Sequence, residues 1–249
     1  STPETTANGA LKKCWRRKGD SIYLTKGDSF PRDDGRSEVV TEYYATQVAK
    51  IMDIDYIPYD LEKFKHRDGK SEIICTCPMF TSADEGYVDA MTYFLCKNID
   101  SVHMNLNDWS NQMQLSNAFG HDKYADMMVF DSLICNQDRH LGNFGYMIDN
   151  NTGRFLRPAP IFDNGRSLLY GAASPDLLNL DQYMKESGLY GAMMDFDSAA
   201  KLFVEKRHLT GLRKLAAFSF KRHPICQVIS PDTMKILDSF IKSRAQRII

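Results

Sequence analysis

Two stretches in the middle of the chain carry carboxylate and amide side chains at a spacing that suits one kind of chemistry. Asp138 is followed five residues later by Asn143, and Asp163 comes twenty residues after Asn143, at the end of a short apolar run. Phosphoryl transfer with Mg²⁺ requires one carboxylate to accept a hydroxyl proton. It also requires an amide oxygen and a second carboxylate to hold hard cations. The offset from Asp138 to Asn143 equals that of the kinase catalytic loop.

Each of these residues also has a structural interpretation. Asp138 alone would be a structural acid at a helix end, paired with Arg139. Asp163–Gly165 alone is a common turn sequence. The shared offsets favour the chemical interpretation, and Arg139 and His140 are expected to organise the loop rather than to react.

The same chemistry needs a strand lysine on the nucleotide phosphates and a helix glutamate that holds this lysine. Lys26 ends a β-type run, and Glu42 lies in the helical pattern that follows. Lys13 and Lys18 are alternatives for the lysine, and Glu38 is the alternative for the glutamate.

Two further segments are suited to contact a nucleotide. Residues 5–13 are small, polar and basic, as a phosphate-covering loop would be, although they lack the G-x-G-x-x-G pattern. Residues 75–80 form an extended segment before the helical part of the chain. Such a segment suits a hinge whose backbone groups bond an adenine edge.

The elements expected to position these residues are strands, helices and one hairpin. Strands are predicted over residues 21–26, 57–59 and 73–77, helices over 37–51, 84–97 and 122–135, a hairpin over 144–156, and a last helix from Ser230. The predicted fold class is therefore α+β, with a two-lobed, protein-kinase-like architecture. Residues 1–80 would form a small β-rich N-lobe, and residues 81–249 a larger helical C-lobe.

Composition excludes several classes of protein. With 249 residues, 43% hydrophobic and 25% charged, the chain is neither a disordered protein nor a collagen or coiled coil. A net charge of −1 argues against a protein that coats nucleic acid. The charge is uneven, because residues 201–249 hold 11 Lys/Arg and 3 Asp/Glu against 20 and 29 in the rest. This basic segment is either a solvated helix face or a docking surface for something anionic.

The chain has no apolar run long enough to span a bilayer, and its polar N-terminus is no signal peptide, so we expect a cytoplasmic protein. Its six cysteines lack paired zinc-ligand spacing. We expect them to be reduced and mostly buried.

The central motifs resemble those of the HipA-like serine/threonine kinases, bacterial enzymes best known as toxins of toxin–antitoxin pairs. The matching residues are Asn136, Asp138, Arg139, His140, Asn143, Phe144 and Gly145, followed by Phe162, Asp163, Asn164 and Gly165. Residues 9–13 resemble the phosphate loop of that family, and Thr41–Glu42 with residues 48–50 resemble its lobe-joining helix. Phosphatidylinositol kinases share a similar string around the first aspartate.

The resemblance implies a role for each matching residue. Asp138 would be the catalytic base, Asn143 and Asp163 would hold Mg²⁺, and Lys26 would bind ATP phosphates and pair with Glu42. The expected ATP-binding residues are Gly9, Ala10, Lys13, Lys26, Cys77, Met79, Phe80, Asn143 and Asp163. The implied reaction is transfer of the γ-phosphate of ATP to Ser/Thr hydroxyls of a protein. A lipid or small-molecule kinase and a nucleotide-binding pseudokinase are the alternatives.

The resemblance also implies regulation and partners. Family members can autophosphorylate a serine of the phosphate loop; here the nearest hydroxyls to Gly9 are those of Thr5 and Thr6, with Ser1 and Thr2 further out. The family usually carries an additional N-terminal subdomain, so we expect a minimal, split or trimmed member. The expected partners are a protein substrate and an antitoxin or a separate N-terminal-subdomain protein. No direct nucleic-acid contact is expected, and secretion into a host stays open.

Overall fold

The computed structural model describes residues 12–27, 31–105, 108–173, 177, 179–180, 182–183, 188–189 and 194–249. Gly9 and Ala10 of the expected phosphate loop lie outside these residues, as do all the N-terminal hydroxyl groups named above.

In the described chain, a β-rich first part is followed by a mostly helical second part. Its strands are β1 (Lys13–Lys18), β2 (Ser21–Gly27), β3 (Asp60–Lys65), β4 (Ser71–Pro78), β5 (Glu85–Asp89), β6 (Gly145–Asp149), β7 (Phe155–Pro158), β8 (Gly188–Leu189) and β9 (Met194–Asp195). Its helices are α1 (Glu38–Met52), α2 (Ala90–Cys96), α3 (Trp109–Phe119), α4 (His121–Ile134), α5 (Phe196–Phe203), α6 (Leu209–Leu215) and α7 (Pro231–Ile248), with a 3₁₀ turn at Lys206–His208.

The N-lobe is a four-stranded antiparallel sheet in the order β1-β2-β4-β3, with α1 packed against β3 and β4. The β2–β4 register pairs Lys26 with Cys75 in the middle of the sheet. Ser37 caps α1, since its side chain accepts a hydrogen bond from the Val40 backbone N–H. The buried face of α1 therefore meets the sheet beside Lys26.

The C-lobe is built around α4, whose residues from Val129 to Ile134 are all fully or almost fully buried. A small antiparallel sheet, β5-β6-β7, covers one side of this lobe. Stacked aromatic side chains hold α2 against that sheet, with the Tyr93 and Tyr146 ring centroids 4.4 Å apart. The last helix, α7, begins at the predicted Ser230 cap, whose side chain accepts from Thr233 N–H.

Two predicted elements are wrong. Residues 57–59 are not a strand; β3 begins at Asp60, and Ile57 and Tyr59 are buried instead. The helix predicted over 84–97 is helical only from Ala90, because Glu85–Asp89 pairs with β6 as a third strand of its sheet. Lys13, expected in a loop, is the first residue of β1.

The two-lobed, kinase-like fold is confirmed. In the part of the chain that the structure describes, no helix has both the length and the apolar character needed to cross a bilayer. All six cysteines are unpaired; Cys14 and Cys96 are exposed and the other four are buried.

Candidate active site

A cleft of about 1010 Å³ separates the two lobes. Its walls include Lys26 from the N-lobe sheet and Asp138, Asn143 and Asp163 from the C-lobe. The structure therefore brings the three predicted C-lobe residues and the predicted lysine to one cavity, although they are up to 137 positions apart in the chain.

Lys26 makes the central contact of the cleft. Its Nζ lies 2.6 Å from Glu42 Oε1 on α1 and 2.6 Å from Asp163 Oδ1. The Tyr59 ring covers the ammonium group, with the ring centroid 4.9 Å from Nζ. The lysine is 2% exposed, so its charge depends on these carboxylates.

The pKa values in this cluster follow from burial and from the neighbouring charges. Burial alone would lower the pKa of Lys26, but Asp163 and Glu42 raise it well above its ordinary value. Burial alone would raise the pKa of Asp163, but the Lys26 and Lys13 cations outweigh it and hold that pKa far below its usual range. Lys26 is therefore charged and Asp163 is an ionised carboxylate, the form that binds a cation.

The alternative residues have other partners. Lys18 pairs with Glu62 on β3, and Glu38 Oε1 accepts a hydrogen bond from Arg166 Nε at 3.0 Å. Lys13 lines the cleft and lies close enough to Asp163 to influence its pKa, but Lys26 makes the direct contact. The geometry thus favours Lys26 and Glu42 for the strand-lysine and helix-glutamate positions.

The loop that carries Asp163 is held against the start of α1. Asp163 has a left-handed backbone with φ 58°, and its N–H donates to the Tyr59 hydroxyl at 3.3 Å. The next N–H, that of Asn164, donates to Glu42 Oε2 at 2.9 Å. Gly165 follows where a Cβ atom would lie only 2.9 Å from the Glu38 carbonyl oxygen, so only glycine permits this close approach.

Asp138 and Asn143 lie in the loop between α4 and β6. Asn143 Nδ2 donates to the Asp138 carbonyl oxygen at 2.9 Å, and the Asp138 N–H donates to Asn136 Oδ1 at 3.1 Å. These bonds fix the loop backbone. The Asp138 side chain lines the cleft and is 27% exposed.

Arg139 joins this loop to the Asp163 loop. The buried guanidinium donates to both oxygens of Asp131, at 2.8 and 3.0 Å, and to the carbonyl oxygens of Asn143 and Phe162, at 2.7 and 2.6 Å. It also donates to Asn164 Oδ1 at 2.6 Å. The expectation that Arg139 organises the loop agrees with these contacts.

The outer part of the cleft suits a flat aromatic base. Phe80 and Phe162 are stacked at 5.5 Å, and Tyr87 meets both rings edge-on at 5.7 and 5.4 Å. Trp15 and Leu24 line the cleft from β1 and β2. Trp15 is half-buried and its side chain forms part of the cleft wall.

The predicted hinge residues Cys77, Met79 and Phe80 all line the cleft. The Met79 N–H, however, donates to the Ile22 carbonyl at 2.9 Å, and Pro78 has no N–H. Neither of these two residues therefore offers a backbone N–H group to a base.

Sequence reasoning missed Tyr59, Asp131 and Arg166. An acid inside the apolar run of α4 is a signal for Asp131, because a buried carboxylate needs a charged partner. Arg166 directly follows the Asp163–Gly165 motif. Tyr59 carried no comparable signal, since only the fold brings it to Lys26.

The residues present fit a nucleotide and Mg²⁺. Asp163 and Asn143 supply the oxygen donors that Mg²⁺ prefers, and Lys26 supplies a cation for phosphate groups. Among the described residues, no cluster of three or more His, Cys, Asp or Glu side chains forms a metal site. Two protein ligands are what Mg²⁺ uses when substrate phosphates supply others.

Comparison with known proteins gives structural neighbours only. No family model matches the chain, and no curated protein matches its sequence. The Helicobacter pylori proinflammatory kinase CtkA superposes with a TM-score of 0.66 at 17% identity, over 99% of this chain and 91% of that one. HipA, from the complex of the Shewanella oneidensis toxin–antitoxin system HipA and HipB with operator DNA, superposes with a TM-score of 0.54 at 12% identity. This match covers 99% of the chain and 66% of HipA. The chain therefore has the fold of the HipA-like kinases.

Proposed function

We propose that the protein is an ATP- and Mg²⁺-dependent kinase that transfers the γ-phosphate to Ser/Thr hydroxyls of a protein. The observation that carries this proposal is Lys26, held between Glu42 and Asp163 inside a cleft that Asp138 also lines. A buried lysine between two acids, with a further, partly exposed carboxylate in the same cleft, is typical of a functional site, and the cleft is large enough for a nucleotide.

Each residue has a defined task in the proposed reaction. Lys26 binds the phosphates of ATP, and Glu42 keeps the lysine directed into the cleft. Asp163 and Asn143 would hold Mg²⁺, which neutralises phosphate charge when it is bound. The side chains of Phe80 and Phe162 offer the base an apolar, aromatic surface.

The substrate hydroxyl would approach the Asp138 carboxylate. A bond forms between the hydroxyl oxygen and the γ-phosphorus, and the bond from that phosphorus to the β–γ bridging oxygen breaks. The hydroxyl proton passes to Asp138, and ADP leaves with the bridging oxygen. The products are a phosphorylated hydroxyl and ADP, so atoms and charge balance once Asp138 releases its proton to water.

The finer expectations belong to the same proposal. A protein substrate is favoured over a lipid because residues 167–180, which follow the Asp163 loop, contain no Lys or Arg to hold an anionic headgroup. An antitoxin-type partner is proposed by analogy with HipA, whose toxin–antitoxin system gives the analogy its basis. Autophosphorylation is proposed from the resemblance of the sequence motifs to those of the HipA-like kinases, and a cytoplasmic location from the sequence alone.

The test is incubation of the full chain with labelled ATP and Mg²⁺, alone and with cell lysate, followed by mass spectrometry of phosphorylated sites. Asp138→Asn should abolish transfer while nucleotide with Mg²⁺ still raises the melting temperature. Asp232→Asn is the matched control, because that acid is 89% exposed on α7 and should leave transfer unchanged. Unchanged transfer by Asp138→Asn would refute the assignment of Asp138 as the catalytic base. Labelling of lipid and of no protein would show that the substrate is a lipid.

A further inference from the structure

Arg166 lies in the cleft between two carboxylates and has no task in the reaction described above. Its Nε donates to Glu38 Oε1 at 3.0 Å and lies 3.7 Å from Asp138 Oδ2. Both contacts involve Nε, so the two terminal nitrogens carry the four remaining N–H groups of the guanidinium. The residue stands three positions after Asp163 and lines the cleft with it.

The backbone of Arg166 is fixed while its side chain is accessible. The Arg166 carbonyl oxygen accepts a hydrogen bond from the Gln137 N–H at 2.9 Å. On the other side, the Gly165 carbonyl accepts from the Thr41 hydroxyl, which ties this turn to the first turns of α1. The Arg166 side chain is 45% exposed, whereas that of Glu38 is 16% exposed. The guanidinium can therefore change partners without any movement of the loop.

In the proposed reaction, the distance to Asp138 would bring this guanidinium close to the transferred phosphoryl group. A hydroxyl that gives its proton to Asp138 lies about 2.6–3.2 Å from the carboxylate. The phosphorus that it attacks lies about 3–3.5 Å beyond. A guanidinium within 4 Å of the same carboxylate reaches the phosphoryl oxygens by a rotation of its side chain. Its planar fork matches two of those oxygens.

On the basis of the proposed kinase function, we propose that Arg166 is a further catalytic residue whose terminal nitrogens bind the γ-phosphoryl oxygens during transfer. Glu38 is then a positioning residue that holds the Nε edge of the guanidinium. This arrangement supplies in the same chain a cation of the kind that an arginine finger supplies in GTPases. Lys26 and Arg166 would approach the phosphates from opposite lobes.

The variants Arg166→Ala, Arg166→Lys and Glu38→Gln test the proposal in the full chain. Arg157→Ala is the matched control, because Arg157 is also an exposed, ion-paired arginine, bound to Glu85 at 2.6 Å on the β5–β7 sheet. Arg166→Ala should lower kcat by roughly 100-fold or more and change the KM for ATP by less than about threefold. Added methylguanidinium should restore part of this activity, and Arg157→Ala should stay within about twofold of the parent.

A binding measurement separates a catalytic role from a structural one. ADP with Mg²⁺ and aluminium fluoride mimics the phosphoryl group in transfer, and it should raise the melting temperature of the parent protein more than ATP does. Arg166→Ala should lose this additional shift and keep the shift with ATP. Glu38→Gln should show a smaller loss of kcat, because the guanidinium remains but is less well held.

Several results would overturn the proposal. Arg166→Ala with parental or raised kcat would show that the arginine only neutralises Asp138. If Arg166→Ala is poorly folded, an Arg166→Lys variant with parental kcat would give the same answer. Absence of transfer by the parent protein on every acceptor would refute the kinase function itself and this role with it. If the parent protein transfers phosphate and the Arg166 variants transfer it equally fast, only the proposed role of Arg166 is refuted.

Discussion

Arg139 offers the sharpest test of how the fold positions the site. Its guanidinium has five N–H groups, and the structure gives it five hydrogen bonds, to Asp131, Asn143, Phe162 and Asn164. Asp131 is completely buried, so loss of Arg139 leaves an uncompensated carboxylate in the core. Breaking a buried pair in this way costs about 3–5 kcal/mol. For a chain of this size each kcal/mol corresponds to about 2–4 °C in melting temperature.

Arg139→Met should therefore lower the melting temperature by roughly 6–20 °C, measured by circular dichroism or calorimetry. It should also reduce the stabilisation by nucleotide with Mg²⁺, because the Asn143 and Phe162 carbonyls lose their shared donor. The matched control is Arg154→Met, an exposed arginine in the β6–β7 connection, which should melt within about 2 °C of the parent.

A double variant distinguishes the ion pair from simple loss of packing. Asp131→Leu with Arg139→Met removes both charges, so it should cost less than the sum of the two single variants. An Arg139→Met protein that melts within about 2 °C of the parent would refute the reasoning. Strict additivity of the two changes would refute it equally, since it would mean that the two groups do not depend on each other.

Two further predictions concern packing and cysteine reactivity. Gly35 and Gly69 share a φ of 86°, but a Cβ atom on Gly35 would lie 1.9 Å from the Val228 carbonyl oxygen, whereas nothing lies within 4 Å of one on Gly69. Gly69→Ala should therefore lower the free energy of unfolding only by the backbone strain, about 1–2 kcal/mol, and Gly35→Ala should lower it by clearly more, as measured by urea unfolding. Equal losses would contradict the packing of residues 34–36 on the C-terminal segment. A thiol reagent added to the native protein at pH 8 should label Cys14 and Cys96 rapidly, and the four buried thiols only when the protein unfolds. Mass spectrometry counts the labelled thiols. Rapid labelling of more than two would contradict the described core.

The residues of the candidate catalytic loop could be named from the sequence because they lie close together in it. Asp138 and Asn143 are five residues apart. This offset alone predicts that one accepts a proton and the other binds a cation. Lys26 and Glu42 were found as a lysine at a strand end and a glutamate on the next helix. The contact between them depends on the β2–β4 register and on the packing of α1, which the sequence pattern does not contain.

The two wrong elements have different physical causes. β3 (Asp60–Lys65) lies at an edge of its sheet and exposes most of its charged side chains, so apolar patterning favoured the buried segment before it. β5 (Glu85–Asp89) becomes a strand by pairing with β6, about sixty residues later. Pairing with a distant strand overrides local propensity, and a single window of sequence cannot contain it.

The basic C-terminal segment is explained in part by pairing within the chain. Arg244 and Arg247 of α7 both bind Asp197 of α5, at 2.7 and 2.8 Å, and Arg207 pairs with Asp126 of α4. These cations pair with acids of the preceding part of the chain. Part of the uneven charge along the sequence is therefore balanced by ion pairs in the folded protein.

One of these contacts links the segment to the candidate active site. Arg244 is 3% exposed, and its guanidinium donates from Nε and Nη2 to the Ser132 carbonyl oxygen, at 3.1 and 2.8 Å. Ser132 lies in the last turn of α4, which ends immediately before the loop of Asp138. Carbonyl groups at a helix C-terminus lack partners within the helix and favour cations. The basic helix α7 thus stabilises the end of α4 from which the candidate catalytic loop departs. This contact accounts for the burial of Arg244.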